Sequence, residues 1–180
     1  MTIHSTNPFA DPVNEPARQL RGRLGARVTI WAAGELDTGT PRSGDAGDRG
    51  ERAAGLTVSS MMTVPGNPWR VAGLVNVDSD LAELIAETGT LTISLLNGPD
   101  EEISETFSGA LPSLGGPFRR GDWEDSPWGP HLKGRTWAGV SIEGTRPLGW
   151  LLEVTGTLDR IEIADDPAPL HHIRGRYRAL

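Results

Sequence analysis

Residues 55–64 read GLTVSSMMTV. The stretch alternates as a β-strand does, with successive side chains on opposite faces. One face carries Leu56, Val58, Ser60, Met62 and Val64; the other carries Thr57, Ser59, Met61 and Thr63. The first is a core face. The second is polar and small to medium in size, which suits a surface that meets something other than hydrocarbon. A buried hydroxyl without a partner costs about 1–3 kcal/mol. Thr57, Ser59 and Ser60 therefore either bond to neighbouring backbone or hold a polar ligand, such as a phosphate or a ring carbonyl. Adjacent thioethers suit a flat, polarizable ring. The expectation is one strand over 55–64, closed by the turn Pro65-Gly66-Asn67-Pro68.

Working outward, Val28–Ala32 is a β-branched and aromatic strand. Residues 34–54 are rich in Gly, Asp and Arg, have almost nothing to bury, and read as a mobile surface connection; they contain no P-loop. Val71–Val75 is a continuous apolar run, a strand buried on both faces. It leads into Asn76-Val77-Asp78-Ser79. There Asp80 and Glu83 resemble a capping box for a helix that Gly89 stops. Leu91–Leu96 is a strand and 100–108 a short helix. Residues 109–136 read as a long loop carrying Phe118, Trp123 and Trp128, and Pro127-Trp128-Gly129-Pro130 within it could cap a ring. Strands follow over 137–142 and 150–163. Residues 170–178, LHHIRGRYR, read as one closing strand. On it His172, Arg174, Arg176 and Arg178 share a face, opposite His171, Ile173, Gly175 and Tyr177. This basic stripe is either a solvated face, a dinucleotide phosphate site or an ion-pairing edge.

The chain has 180 residues, a net charge of −7, four histidines and no cysteine. One domain over 25–180 fits that length, with 1–24 as a flexible, proline-interrupted N-terminal arm. The acidic balance argues against nucleic acid as the main partner. Without cysteine there is no disulfide or thiolate chemistry. Neither H-x-H nor H-E-x-x-H occurs, so no metal site is expected. No apolar run approaches the roughly 18 residues that span a membrane, and no signal peptide is evident, so a cytoplasmic setting is expected. At the junction of the 71–75 strand and its helix, free N–H groups and the dipole favour an anion. The backbone amides and Ser79 are the candidates there, since Asp78 and Asp80 would repel a phosphate, with an ordinary helix cap as the alternative. No nucleophile elbow is present. Many strands and two short helices point to a mostly β protein, a small barrel with helical decoration.

The order of these motifs resembles the flavin reductase-like family. The resemblance rests on G-L-T-V-S-S before a turn and buried strand, the Asn/Asp-x-x-S linker and helix, T-G-T-L-T-I-S-L-L, a helix ending F-S-G, and the terminal P-L-x-x-x-R-G-R-Y-R. It covers roughly residues 25–180. It implies a six-stranded antiparallel split β-barrel, the FMN-binding split barrel, usually as a homodimer. It also implies hydride transfer from NADH or NADPH to FMN or FAD, often for a partner monooxygenase. On this reading Thr57, Ser59, Ser60 and Thr63 hold the flavin, and Asn76, Asp78 and Ser79 meet its ribityl chain and phosphate. Arg174, Arg176 and Tyr177 lie near the nicotinamide. No essential general base is implied, because the flavin carries the hydride chemistry. Many members have a histidine in a segment like D-H-x-L-x-x-G, where this chain reads RPLGWLLEV with Trp150. His171 and His172 are the candidates to replace it. The alternatives on the same barrel are a non-enzymatic flavin- or haem-binding protein and a deazaflavin-dependent reductase.

Overall fold

The computed structural model describes residues 26–36 and 53–180. The expected N-terminal arm, and most of the expected mobile connection, lie outside them. The strands are β1 (Ala26–Arg27), β2 (Thr29–Ala33), β3 (Ala54–Val58), β4 (Met61–Val64), β5 (Arg70–Asn76), β6 (Thr90–Leu95), β7 (Trp123–Ser126), β8 (Gly129–Leu132), β9 (Trp137–Leu148), β10 (Leu151–Glu162), β11 (Leu170–Ile173) and β12 (Arg176–Ala179). The helices are α1 (Asp80–Thr88) and α2 (Glu101–Phe107). The fold is mostly β, as expected.

The principal sheet is antiparallel, in the order β3-β2-β6-β9-β10-β5-β4. Its two edge strands, β3 and β4, are consecutive in the chain and joined only by Ser59 and Ser60. The sheet therefore curls into a barrel split along that seam. The single strand expected over 55–64 is thus two strands, and the sheet has seven strands rather than six. The cause is local. Small hydroxyls stand where the chain must leave one edge of the sheet and join the other, and Ser60 Oγ turns back to donate to the Leu74 carbonyl at 3.1 Å.

One indole dominates the barrel interior. Trp31 is fully buried with Val71, Val75, Leu91, Ile93, Val140 and Val154, and α1 adds Leu81, Ala82 and Ile85. Gly73 makes room for it: a Cβ there would lie 2.5 Å from Trp31 Cη2. The other side of β2, with Val28, Ile30 and Ala32, packs on an outer cluster of Leu96, Ile103, Phe107, Phe118, Leu132 and Leu170. Both faces of β2 are covered, so every residue of the strand is buried.

The expected loop over 109–136 contains the β7–β8 hairpin. Strand β6 explains why. Its inward residues Leu91 and Ile93 are apolar, but its outward Thr92 and Ser94 are also buried and require partners. Strand β8 provides them: Thr92 donates to the Pro130 carbonyl, and Leu132 N donates to Ser94 Oγ. Trp128, at the hairpin turn, is laid on β9 over Gly139, where a Cβ would lie 2.4 Å from the ring. Its Nε1 donates to Asp159 at 3.0 Å. The indole expected to cap a ring is committed to the sheet instead.

The closing stretch is likewise two strands. Residues Arg174 and Gly175 form a two-residue turn with φ of 53° and 75°, and β12 folds back on β11. Both central residues have positive φ, as the right-handed twist of a tight hairpin demands. A third small sheet results, in the order β1-β11-β12.

Candidate functional site

The seam and the start of α1 meet at one end of the barrel. Strand β4 pairs with β5 so that Met61 faces Gly73. The same register brings Ser60 to Leu74, and Asn76 ends β5 two residues later. Ser79, not Asp80, caps α1: it has extended backbone, and its hydroxyl accepts from Ala82 N at 3.2 Å. The expected capping box is therefore shifted. Asp80 and Glu83 fall inside the first turn, where they suit the positive end of the helix dipole. Gly89 stops the helix in the left-handed conformation, as expected.

The candidate hydroxyls divide into two groups. Thr57 Oγ1 donates to the Ser104 carbonyl at 2.6 Å and Ser60 to Leu74. Ser79 Oγ donates to the Asn76 carbonyl at 2.7 Å while capping. These three serve the fold. Ser59, half-buried in the seam, and Thr63, exposed on β4, make no side-chain hydrogen bond among the described residues. Asn76 is exposed, and its Oδ1 accepts from Asp78 N at 3.1 Å, which fixes the loop. Its amide nitrogen remains available as a donor.

A cavity of about 580 Å³ opens between residues 53–56, at the start of β3, residues 78–81, at the entry to α1, and Pro117. Small-molecule sites commonly span about 300–1,000 Å³. As an edge strand, β3 presents backbone N–H and C=O groups that no neighbouring strand takes. The first amides of α1 also lack an intrahelical acceptor. The donor set of the wall is thus mostly backbone; Ser59, Thr63 and the Asn76 amide do not line it. Backbone N–H groups can meet ring carbonyls and the start of α1 an anion, while the Asp78 and Asp80 carboxylates in the same wall oppose one. The barrel interior is closed to such a ligand, since Trp31 fills it. Of the candidates, the cavity wall contains Asp78 and Ser79; the others lie around the seam or in the terminal sheet.

The terminal sheet connects to the seam through a residue that the sequence did not single out. Ser104, fully buried on α2, accepts Thr57 at its carbonyl and donates from its hydroxyl to the Tyr177 oxygen at 2.8 Å. Tyr177 packs on the outer cluster, and His172 lies edge-on to it at 5.3 Å between centroids. The only sequence signal was a small residue between Ile103 and Phe107 on a short helix. The stripe expected to join His172, Arg174, Arg176 and Arg178 does not exist. The hairpin register puts His172 with Tyr177 on the inner face, and His171 with Arg178 on the outer face. Arg176 lies on that outer face and Arg174 in the turn. His171 and His172 point to opposite sides, as adjacent residues on a strand must.

Two ion pairs brace this region. Arg135 reaches the buried Asp100 at 2.6 and 2.8 Å, and these bonds raise the guanidinium pKa above its usual value. Arg27 grips Asp166 with two contacts of 2.7 Å, and its hydrogen bonds hold that carboxyl below the usual carboxylate range.

The protein-family model described as flavin reductase like domain matches residues 22–180. No curated protein matches the chain. Among solved structures, BorF, the flavin reductase component of a bacterial two-component tryptophan halogenase, superposes with a TM-score of 0.74 at 18% identity, covering 91% of this chain and 96% of its own. The flavin reductase PheA2 gives 0.74 at 19% identity, covering 94% and 99%. The NADH:FAD oxidoreductase SgcE6 of Streptomyces globisporus C-1027 gives 0.73 at 18%, covering 94% and 98%. At these identities the structural likeness speaks for the fold.

Proposed function

Since the chain belongs to the flavin reductase-like domain family, we propose that it is an NAD(P)H-dependent flavin reductase working on FMN or FAD. The carrying observation is the split seam. It leaves an edge strand and a helix N-terminus around one cavity, with Ser59, whose hydroxyl has no partner among the described residues, in the seam itself, while Trp31 closes the barrel. A bound flavin supplies the hydride-accepting chemistry, and the chain supplies binding and orientation. Backbone amides of β3, with Ser59 and Thr63, hold the ring. Asn76 and the first amides of α1 take the ribityl chain and phosphate, with Asp78 and Ser79 shaping the loop. Thr57 and Ser60 keep the seam in place, and the terminal hairpin, with Arg174 in its turn, Arg176 outward and Tyr177 inward, is assigned to the nicotinamide. His171 and His172 are held as weaker candidates there.

Met62, Trp150, Leu148 and Val77 expose apolar side chains on β4 and beside the β9–β10 turn. The register of Leu151 with Asn76 brings the last three together. Clustered exposed apolar groups mark interaction surfaces, which supports a homodimer. Delivery of reduced flavin to a partner monooxygenase is the physiological role we infer, supported by fold neighbours that include the styrene monooxygenase flavin reductase of Pseudomonas putida S12 and the reductase component of a two-component tryptophan halogenase.

The test is titration of the purified protein with FMN, followed by flavin fluorescence quenching and then NADH and NADPH oxidation. Saturable quenching with turnover is the expected result. Ser59→Ala should weaken FMN binding about tenfold, the value of a single hydrogen bond to the ligand. Absence of quenching would sink the reductase reading and leave the fold intact.

A further inference from the structure

Acidic proteins seldom leave cations together without counter-charges, yet this one does so at its terminal hairpin. Arg27, Arg70, Arg120, Arg135, Arg146 and Arg160 each face a carboxylate. Arg174, Arg176 and Arg178 face none among the described residues. Arg119 shares that condition, but it stands alone on a different turn.

The hairpin register gives the cluster a shape. Arg27, His171 and Arg178 form a row across β1, β11 and β12, and Arg176 stands two residues from Arg178 on the same face. Alternate residues on a strand are about 7 Å apart, so two guanidiniums can close on one phosphate from either side. The nearby carboxylate, Asp166, is already occupied by both terminal nitrogens of Arg27. Between the two arginines, Tyr177 points the other way and is tied through Ser104 to Thr57 on β3. Strand β12 thus shows arginines outside and a link to the seam inside.

The net charge of −7 disfavours an extended polyanion. A compact dianion suits the site better, since guanidinium forks match phosphate oxygens bidentately. Arginine is also the side chain that accommodates a 2′-phosphate where dinucleotides are told apart. We propose that the outer face of this hairpin, with Arg176 and Arg178 flanked by His171 and Arg174, is a phosphate subsite that makes the protein prefer NADPH to NADH. This rests on the reductase reading above and assigns its reductant.

The test uses the full-length protein with FMN as acceptor. Wild type should show a kcat/KM at least about tenfold higher for NADPH than for NADH. The variant Arg178→Ala, at a residue outside the proposed nicotinamide contacts, should raise the KM for NADPH about tenfold. It should leave kcat and the KM for NADH nearly unchanged, and FMN affinity intact as the check on folding. In calorimetry, 2′,5′-ADP should bind wild type more tightly than 5′-AMP, with the difference shrinking at high salt and vanishing in the variant. Equal use of both nucleotides by wild type, or an unchanged preference in the variant, overturns the subsite. A variant that loses FMN affinity with its nucleotide preference unchanged also overturns it, because Arg178 would then serve the flavin. A wild type that oxidises neither nucleotide overturns the reductase reading, and 2′,5′-ADP binding then still decides the subsite by itself.

Discussion

The two sides of β2 carry two different kinds of core. Inside the barrel, contacts are almost wholly apolar and centre on Trp31, whose ring Gly73 lets approach to backbone distance. Outside, the apolar cluster of Phe107, Phe118 and Leu132 is threaded with polar bonds: Thr92 and Ser94 to β8, Ser104 to Tyr177, Asp100 to Arg135. The inner core resists change through packing density. The outer layer holds elements far apart in sequence in one register through specific donors and acceptors. Among the described residues, the seam is where groups such as the Ser59 hydroxyl remain to be satisfied.

Removing the inner side should have the largest effect. Trp31→Ala is expected to cost about 3–5 kcal/mol, as large-to-small changes at buried aromatics do. Denaturant unfolding measures this, and a loss under about 1 kcal/mol would show that the indole does not organise the barrel. Arg135→Met should come next. It strands the buried Asp100 carboxylate and should cost about 3 kcal/mol, with much of the loss recovered when Asp100 is also replaced by Asn. If the double variant recovers nothing, the pair is not the source of the cost.

Ser104→Ala should cost about 1 kcal/mol, the typical net value of one hydrogen bond. Tyr177→Phe should then add little to it in a double-mutant cycle. Additive losses would mean that the two residues act independently. The smallest effect is expected at the periphery. Arg27→Met removes a half-exposed pair worth under about 1 kcal/mol, and its pH dependence identifies it. Asp166 has a folded-state pKa below its unfolded value, so its contribution is full above the unfolded value and is lost as pH falls through the lower folded value. Wild type and variant should differ at neutral pH and converge in acid. A gap that stays constant would remove Asp166 from the account.

The mostly β class, the helix ended by Gly89 and the strand over 71–75 were legible because each depends on a short-range rule: alternation, a turn of helix or a positive φ. That strand is fully buried on one face only, Ala72 and Leu74 on the other being half-buried, which corrects the expectation of burial on both. The candidate hydroxyls were legible as residue types in the right place. Their division was not. Thr57 finds its acceptor 47 residues away, and Ser104 finds Tyr177 at a separation of 73. Nothing in the local pattern distinguishes Thr57 from Thr63, which has no side-chain partner among the described residues.

The basic stripe shows the same limit. Alternation predicts one face for Arg174, Arg176 and Arg178 only if the strand continues. Gly175 made a turn possible, and pairing of β12 with β11 made it actual, sending Tyr177 inward and two arginines outward. Likewise, GLTVSSMMTV declared itself a strand with a polar face. Its break at Ser59–Ser60 came from the closing of the barrel, which requires the chain to leave one edge of the sheet and begin the other. The sequence by itself determined the period, polarity and stops of each segment, because these follow from backbone geometry over a few residues. The tertiary structure decided which edges met, which hydroxyls were taken and which cations were left unpaired, because those outcomes depend on partners that only long-range packing brings into reach.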